Sequence, residues 1–477
     1  MASNRGSIMI VAGTRPEAIK LAPVLWNLDK LGIDYAFVWS GQHYDYEMSR
    51  IFFEQLGLSE PDKYLGVRVC SGDTSEQISK MITRLARCIK KINPTFVYAL
   101  GDTNTALSTA LASVYMTKPF VHDEAGMRSF DTAMLEEVNR RVADALANLR
   151  LAPTKIAVLN LLYEGNPYTT IKLVGSTVVD ALLKILNSNE LLREDEMLAK
   201  LSLERSRYIL TTVHRRENLV NERLMKIVEM LINLASRLTD YRIVFPVHPH
   251  TKRRLFELGL LNKLSSHKNI LLIKPLGYIE FISLLRDSAL TITDSGGVQE
   301  EAFILGKYII TLRRVTEWPE TVLLGYNYLV SVDEVSQVVD IALKLIELPE
   351  KGVPELARCP LGDGRAGQRI ARILQKIKEL NSIKQSYELM EENASVYPIP
   401  QLTQYPLNNV KRHWITLCFR DSVPLTWEKI VELNKLLHND PASYTCITRS
   451  QTLNRKFINT LLKVEWSYID KLLERTD

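Results

Sequence analysis

Asp294-Ser295-Gly296-Gly297-Val298-Gln299-Glu300-Glu301 follows directly on the apolar run 289–293, and that junction has the makings of an anion site. A buried strand that ends at two glycines and a helix lets a ligand come close to the backbone. Free amides and the positive end of the helix dipole then face it. A diphosphate suits such a place. No lysine of the phosphate-binding-loop kind accompanies it, so triphosphate hydrolysis is not indicated and a sugar nucleotide fits better.

Other groups with chemical potential also stand where apolar runs end. After 8–12 comes Gly13-Thr14-Arg15-Pro16-Glu17-Ala18-Ile19-Lys20. Thr14 and Glu17 have capping-box spacing, Pro16 suits the first turn, and Arg15 and Lys20 supply cations. The run 96–100 leads into Gly101-Asp102-Thr103, and 120–121 leads into His122-Asp123-Glu124-Ala125-Gly126-Met127-Arg128. Asp102 alone reads equally well as a helix cap. Glu124 has no such structural excuse. Glu136-Glu137-Val138-Asn139-Arg140 opens a helix that places Glu136 and Arg140 on one face at i, i+4. Several carboxylates in one site point to proton transfer, their pKa values separated by repulsion and burial. Further on, His214-Arg215-Arg216-Glu217-Asn218 and His248-Pro249-His250 also follow apolar runs. His214 beside Arg215 suits a diphosphate. His248 and His250 lack the accompanying acids of a metal site, and the five scattered cysteines lack paired spacing, so neither a metal nor a disulfide framework is expected.

The elements that must hold these residues alternate between strand-like and amphipathic helical stretches, as in parallel sheets covered by helices. One set of strands is expected at 8–12, 35–39, 96–100, 120–121 and 171–174. A second is expected at 209–212, 243–247, 270–273, 290–293 and 309–312, and a charged, helix-forming stretch at 188–205 separates the two. The expected fold is therefore α/β, two doubly wound parallel-sheet domains facing a cleft, with ligands at the carboxyl ends of strands. The expected limits are 1–185 and 186–365 for the two domains, then a helix at 366–380 and a small α/β extension at 381–477. Within the extension, a strand is expected at 414–419 and helices at 427–437 and 455–473. No catalytic motif falls there, and it reads as a packing or oligomerisation appendage. Gly362-Asp363-Gly364-Arg365-Ala366-Gly367 formally matches a dinucleotide fingerprint, but no strand precedes it; it reads as a turn before a helix.

With 477 residues, 46% hydrophobic, 24% charged and a net charge of +5, the composition suits a soluble enzyme of about three domains and gives no sign of a nucleic-acid binder. The apolar runs are strand-sized, so no membrane association is expected, and the N-terminus does not read as a signal peptide; the expected location is cytoplasmic.

Taken in order, GTRPEAIK, GQHY, GDTNT, HxEAG, RSFD, EExNR, TxHRxEN, HPxTKxRL, TDSGGVQEEA and GDG resemble the non-hydrolysing UDP-N-acetylglucosamine 2-epimerases from about Ile8 to Leu380. The resemblance implies a glycosyltransferase-B-like pair of Rossmann domains, usually a homodimer, with the helix at 366–380 crossing back onto the first domain. It implies reversible conversion of UDP-GlcNAc to UDP-ManNAc by anti elimination of UDP to 2-acetamidoglucal and re-addition, without a cofactor. Asp102, Glu124, Glu136 and His214 then form the catalytic set, with Asp102 and Glu124 foremost. Arg15, Lys20, His214, Ser295, Gly296, Gly297 and Glu301 go to the nucleotide, Phe281 lies near the uracil, and Arg128 and Arg140 position the sugar or diphosphate. Gln42 and His248 would contact a second UDP-GlcNAc acting as activator. Asp123, Leu135, Ser176, Arg314 and Trp318 depart from the family pattern. A second carboxylate at 123 would raise the pKa of Glu124, and an arginine is lost at 318 and gained at 314. Alternative readings are an epimerase of a related UDP-2-acetamido or 2,3-diacetamido sugar, an enzyme that releases UDP and free sugar, a glycosyl transferase, or a catalytically silent UDP-sugar sensor.

Overall fold

The computed structural model describes residues 8–42, 53–54, 56–67, 73–187, 194–379, 462, 464–467 and 469–470, to which the structural statements below refer. They form two compact units, one made of the residues up to 181 and from 356 onward, the other of 182–355.

In the first unit, seven parallel strands run in the order β3-β2-β1-β4-β5-β6-β7: Ile8–Ala12 (β1), Tyr35–Trp39 (β2), Lys63–Tyr64 (β3), Val97–Leu100 (β4), Phe120–Asp123 (β5), Leu149–Ala152 (β6) and Ile171–Leu173 (β7). All five residues of β1 are buried, because a parallel strand covered on both faces needs apolar side chains on both sides. The second unit has six parallel strands in the order β10-β9-β8-β11-β12-β13: Tyr208–Thr212 (β8), Arg242–Pro246 (β9), Ile270–Ile273 (β10), Leu290–Thr293 (β11), Ile309–Thr311 (β12) and Asn327–Leu329 (β13). Each unit is Rossmann-like, and the strand order reverses once in each, between β1 and β4 and between β8 and β11. At such a switch point the loops that follow the strands diverge and leave room for a ligand.

Three strands escape the sequence pattern. β3 and β13 are only two and three residues long. β6 carries Arg150, a buried cation that donates to the Asp144 carbonyl and to Thr170 Oγ1, and so breaks the apolar run. β5 extends beyond 121 to include His122 and Asp123, both buried.

In the first unit the helix Ala366–Glu379 packs on the helix Arg15–Lys30, closely enough that a Cβ at Gly367 would lie 2.5 Å from the Pro23 carbonyl oxygen. Asp180 accepts from the Ala366 and Gly367 amides at 3.1 and 2.8 Å, and burial pushes its carboxyl up to about 7. The turn before this helix contains Gly362 and Gly364 at positive φ, and its Asp363 is paired with Arg369. The described tail residues return to the same unit, where Val464, Trp466 and Ile469 pack with Leu173. The elements expected at 414–419 and 427–437 lie outside the described residues, as does most of 455–473. Among the described residues no helix is long and apolar enough to cross a membrane.

Candidate active site

The loop after β1 and the loop after β4 meet at the first switch point. Gly13 has no alternative there, since a Cβ would lie 1.8 Å from Ser40 Oγ. Thr14 and Glu17 form the capping box that starts the helix. Glu17 does more than cap. Its carboxylate accepts from the Gly13 and Thr14 amides at 2.8 Å and from Thr103 Oγ1 at 2.5 Å, which ties the two loops together. Burial pushes Glu17 up to about 7 against the pull of those bonds.

Thr103 caps the helix Asn104–Tyr115, so Asp102 is not spent on that task. Its Oδ2 instead takes Arg140 Nε at 3.1 Å and Nη2 at 2.7 Å. Glu124, at the end of β5, pairs with Lys20 Nζ at 2.7 Å. Its backbone is left-handed, φ 58°, a strained setting for a non-glycine residue and one that clusters at functional sites. Two neighbours support it. Asp123 Oδ1 accepts from the Glu124 amide at 2.8 Å, and Gly101 leaves room for the side chain, since a Cβ there would stand 3.3 Å from Glu124 Oε2. Tyr98 donates its hydroxyl to Asp123 Oδ2 at 2.5 Å. Burial pushes Asp123 up to about 6, the Tyr98 bond opposes the rise, and the charge of Glu124 adds to it. Arg15 is half-buried on the same helix as Lys20. Gln42 is buried, and its side-chain oxygen accepts from Thr105 N and Oγ1 at 3.1 and 3.0 Å.

The fold changes the picture for two arginines. Arg140 lies at i, i+4 from Glu136 on the helix Leu135–Leu146, as expected, but Glu136 is exposed, and Arg140 pairs with Glu137, fully buried, at 2.7 Å and i, i+3. Glu137 also accepts from Ser129 N and Oγ and from Arg141 Nε, so it organises the loop before its helix. Arg128 is unsuited to positioning substrate. Its side chain is fully buried, with Nε and Nη2 on Glu164, Nη1 on the Met127 carbonyl and Nη2 also on Asp144. The motif HxEAG shows where the chain runs but not that residue 128 turns inward.

In the second unit, the loops after β8 and β11 meet in the same way. Asp294 is fully buried and accepts from the His214 and Arg215 amides at 3.1 and 3.0 Å and from Asn218 Nδ2 at 3.1 Å. The His214 ring is exposed, with Nδ1 3.2 Å from Asp294 and its centroid 6.1 Å from that of His248. The helix Gly296–Ile304 starts after Ser295, whose side chain makes no capping bond. A Cβ at Gly297 would meet nothing within 4 Å, and at Gly296 only Glu317 Oε2 at 3.6 Å and Arg313 Nη1 at 3.9 Å. Packing within the protein therefore demands neither glycine, and both leave open space at the positive end of the helix. Arg313 lies beside it in a buried two-bond pair with Glu317 at 2.9 and 2.8 Å, and Arg215 Nη2 stands 4.0 Å from the same carboxylate. Glu301 is buried, and the Tyr278 hydroxyl is pushed well up by its own burial and by the charge of Glu301; Phe281 is half-buried on the helix Tyr278–Asp287. Trp318 is buried while Arg314 is exposed, so the gained arginine does not take the place of the lost one. Among the described residues no group of three or more His, Cys, Asp or Glu is arranged to hold a metal ion.

The family described as UDP-N-acetylglucosamine 2-epimerase matches residues 27–375. A UDP-N-acetylglucosamine 2-epimerase of Methanocaldococcus jannaschii is 43% identical over 373 residues, 77% of this chain and 98% of the relative. The chain belongs to the UDP-N-acetylglucosamine 2-epimerase family. A crystal structure of the M. jannaschii epimerase in complex with UDP-GlcNAc and UDP superposes with a TM-score of 0.70 at 39% identity, covering 78% of this chain and 99% of that one. A UDP-2,3-diacetamido-2,3-dideoxy-D-glucuronate 2-epimerase of Pseudomonas aeruginosa is 35% identical over 78% of this chain and 99% of its own length. The epimerase match ends at 375, so the tail that returns to the first unit lies beyond it.

Proposed function

We propose that the chain interconverts UDP-GlcNAc and UDP-ManNAc, with Glu124 and Asp102 as the proton-transfer carboxylates. The observation that carries this reading is their placement: two carboxylates at the ends of adjacent strands, each on its own cation, Lys20 for Glu124 and Arg140 for Asp102. One carboxylate takes the C2 proton while the C1–O bond breaks, its electron pair leaving on the β-phosphate oxygen of UDP; C1 and C2 become the double bond of 2-acetamidoglucal. In the return step the diphosphate oxygen rebonds to C1 and the other group, which enters the cycle as the carboxylic acid, gives its proton to the opposite face of C2 and becomes the carboxylate. Inversion at C2 needs proton transfer on opposite faces, by separate acid/base groups or by a shared one that moves, and two carboxylates supply the first. No carbonyl acidifies that proton, so stabilisation of the departing diphosphate must supply much of the rate. His214, Arg215 and the helix start at Ser295–Gly297 are suited to that work.

A related UDP-2,3-diacetamido sugar is the second reading, favoured by the P. aeruginosa relative and by the buried Trp318 in place of an arginine. A silent sensor would have no need of two cation-paired carboxylates at a switch point. Glu136, exposed in its own unit, is a secondary candidate for proton transfer. A homodimer, a cytoplasmic setting and activation by a second UDP-GlcNAc through Gln42 and His248 complete the proposal.

Incubation of the full chain with UDP-GlcNAc in deuterated water, followed by proton NMR, tests it. Deuterium at C2 with UDP-ManNAc appearing is expected; UDP binding without exchange would move the substrate to another UDP-sugar. Glu124→Gln should abolish C2 exchange while leaving the Kd for UDP within about 2-fold, since a carboxamide keeps the shape but cannot take the proton. Undiminished exchange would remove Glu124 from the mechanism.

A further inference from the structure

His122 and Asp144 take no part in the chemistry above, yet they bond to backbone beside each of the two carboxylates that do. His122 is fully buried in β5 with an acceptor at each ring nitrogen: Asp144 Oδ1 at 2.7 Å from Nδ1 and the Gly101 carbonyl oxygen at 2.8 Å from Nε2. A carbonyl can only accept, so Nε2 carries a hydrogen. Asp144 Oδ2 accepts from the Gly126 amide at 3.0 Å and pairs with Arg128 Nη2 at 2.7 Å, which an ionised carboxylate does best. Nδ1 therefore carries a hydrogen as well, and the ring is an imidazolium. Burial disfavours both charges, but the pair overcomes it: Asp144 is held down at about 2 and His122 is raised.

The two ends of this pair are significant. Gly101 immediately precedes Asp102, and Gly126 follows Glu124 by two residues. The paired register between β4 and β5 ends at Leu100 and Asp123; past it the Gly101 amide still donates to the Asp123 carbonyl at 3.1 Å and the Ala125 amide to the Leu151 carbonyl at 3.0 Å, but no ladder bond reaches Asp102 or Glu124 from the other strand. We propose that the His122–Asp144 ion pair is a positioning strut that fixes the spacing of Asp102 and Glu124. His122 grips the backbone before one carboxylate, and Asp144 grips the backbone after the other. Gly101 also borders the Glu124 side chain, so movement of its carbonyl disturbs both groups at once. Arg128 and Glu164 complete the chain, which gives the inward-turned arginine its purpose. The strut rests on the reading of Asp102 and Glu124 as the proton-transfer pair.

The first test uses the intact wild-type protein labelled with 15N-histidine. His122 should give an imidazolium signature, both nitrogens protonated, from about pH 6 to 8, against an ordinary value near 6.5. The charged groups bearing on it are Asp144, with Arg128 behind it, and Asp123 in the same strand, while Phe120 lies stacked with its ring centroid at 5.9 Å. A neutral ring at pH 7 would overturn the proposal. The signal is assigned by its loss in His122→Gln, or by single substitutions of the other histidines if that variant does not fold.

The second test is kinetic. A glutamine at 122 can donate to Gly101 or to Asp144 but not to both in line. His122→Gln should lower kcat and C2 exchange by about 100-fold, as misplacement of catalytic groups by about 1 Å does, with KM and the Kd for UDP nearly unchanged. Asp144→Asn should do the same. Full kcat in a folded His122→Gln sinks the strut, whereas full exchange in Glu124→Gln sinks the acid/base reading beneath it. If neither strut variant folds, the histidine spectrum of the wild type decides.

Discussion

At the scale of single residues, Asp123 serves two buried donors at once. It supplies the acceptor for the strained Glu124 amide and the partner for the buried Tyr98 hydroxyl. Asp123→Val should cost about 1–3 kcal/mol, because two buried donors lose their acceptor. Adding Tyr98→Phe should recover part of that loss, and denaturant unfolding of both single variants and the double variant measures the coupling. The carboxyl also gives stability a pH dependence. Its folded value, about 6, lies above its ordinary 3.8, so its contribution is complete below about pH 4 and is lost as pH rises through about 6. Asp123→Asn keeps an acceptor for Glu124 and should flatten the fall of unfolding free energy across that window. A steeper fall would contradict the assignment. None of this was legible in the sequence beyond the proximity of two carboxylates, because the acceptor role depends on which way residue 123 faces in β5. Glu136 and Glu137 show the same limit. Both come within reach of Arg140 by spacing, and which of them is buried depends on the face that the helix turns inward, which composition does not fix.

At the scale of elements, both units solve one problem in one way. A parallel sheet delivers its loops to the switch point but does not tie them, and in each unit a buried carboxylate does so: Glu17 joins the loops after β1 and β4, and Asp294 joins those after β8 and β11. Most strands and the positions of the site loops could be read from apolar periodicity, since the sites fall where the runs end. The ties could not. Glu17 reads as half of a capping box and Asp294 only as the start of an anion-site junction, and their long-range partners become visible only in the fold. Asp294→Ala removes both acceptor oxygens, so the His214, Arg215 and Asn218 bonds are lost together. UDP affinity should fall by about 10-fold or more, as expected for loss of a hydrogen bond to a charged group at about 1.5–3 kcal/mol. Calorimetric titration with UDP checks this, and unchanged affinity would show that the loop after β8 holds its shape without the tie.

At the scale of the whole molecule, the feature that lies beyond the family match, which ends at residue 375, is the returning tail. The sequence marked 381–477 as an extension of different pattern, and its aromatic residues gave no hint of an acceptor among residues 356–362. Trp466 is 2% exposed, donates Nε1 to the Cys359 carbonyl at 2.9 Å and stacks beneath Arg369 at 4.6 Å. Gly175 makes space for it, since a Cβ there would lie 3.3 Å from the indole ring. Asp470 then draws Arg369 and Arg365 to 2.6 and 2.8 Å, so Arg369 is held between Asp363 and Asp470. The contacts are those of a core, not of a loosely attached end. Trp466→Ala should therefore cost about 3–5 kcal/mol in unfolding free energy, the range for deleting a buried large aromatic side chain. Asp470→Asn, which leaves Arg369 its second carboxylate, should cost less, about 1–3 kcal/mol. Neither variant touches Asp102, Glu124 or their cations, so kcat at a temperature where the protein stays folded should be close to wild type. An unfolding midpoint in Trp466→Ala equal to that of the wild type would show that the tail adds nothing to the stability of the first unit. Lost stability with kcat retained would make it a structural clasp on the segment that leads into the helix Ala366–Glu379.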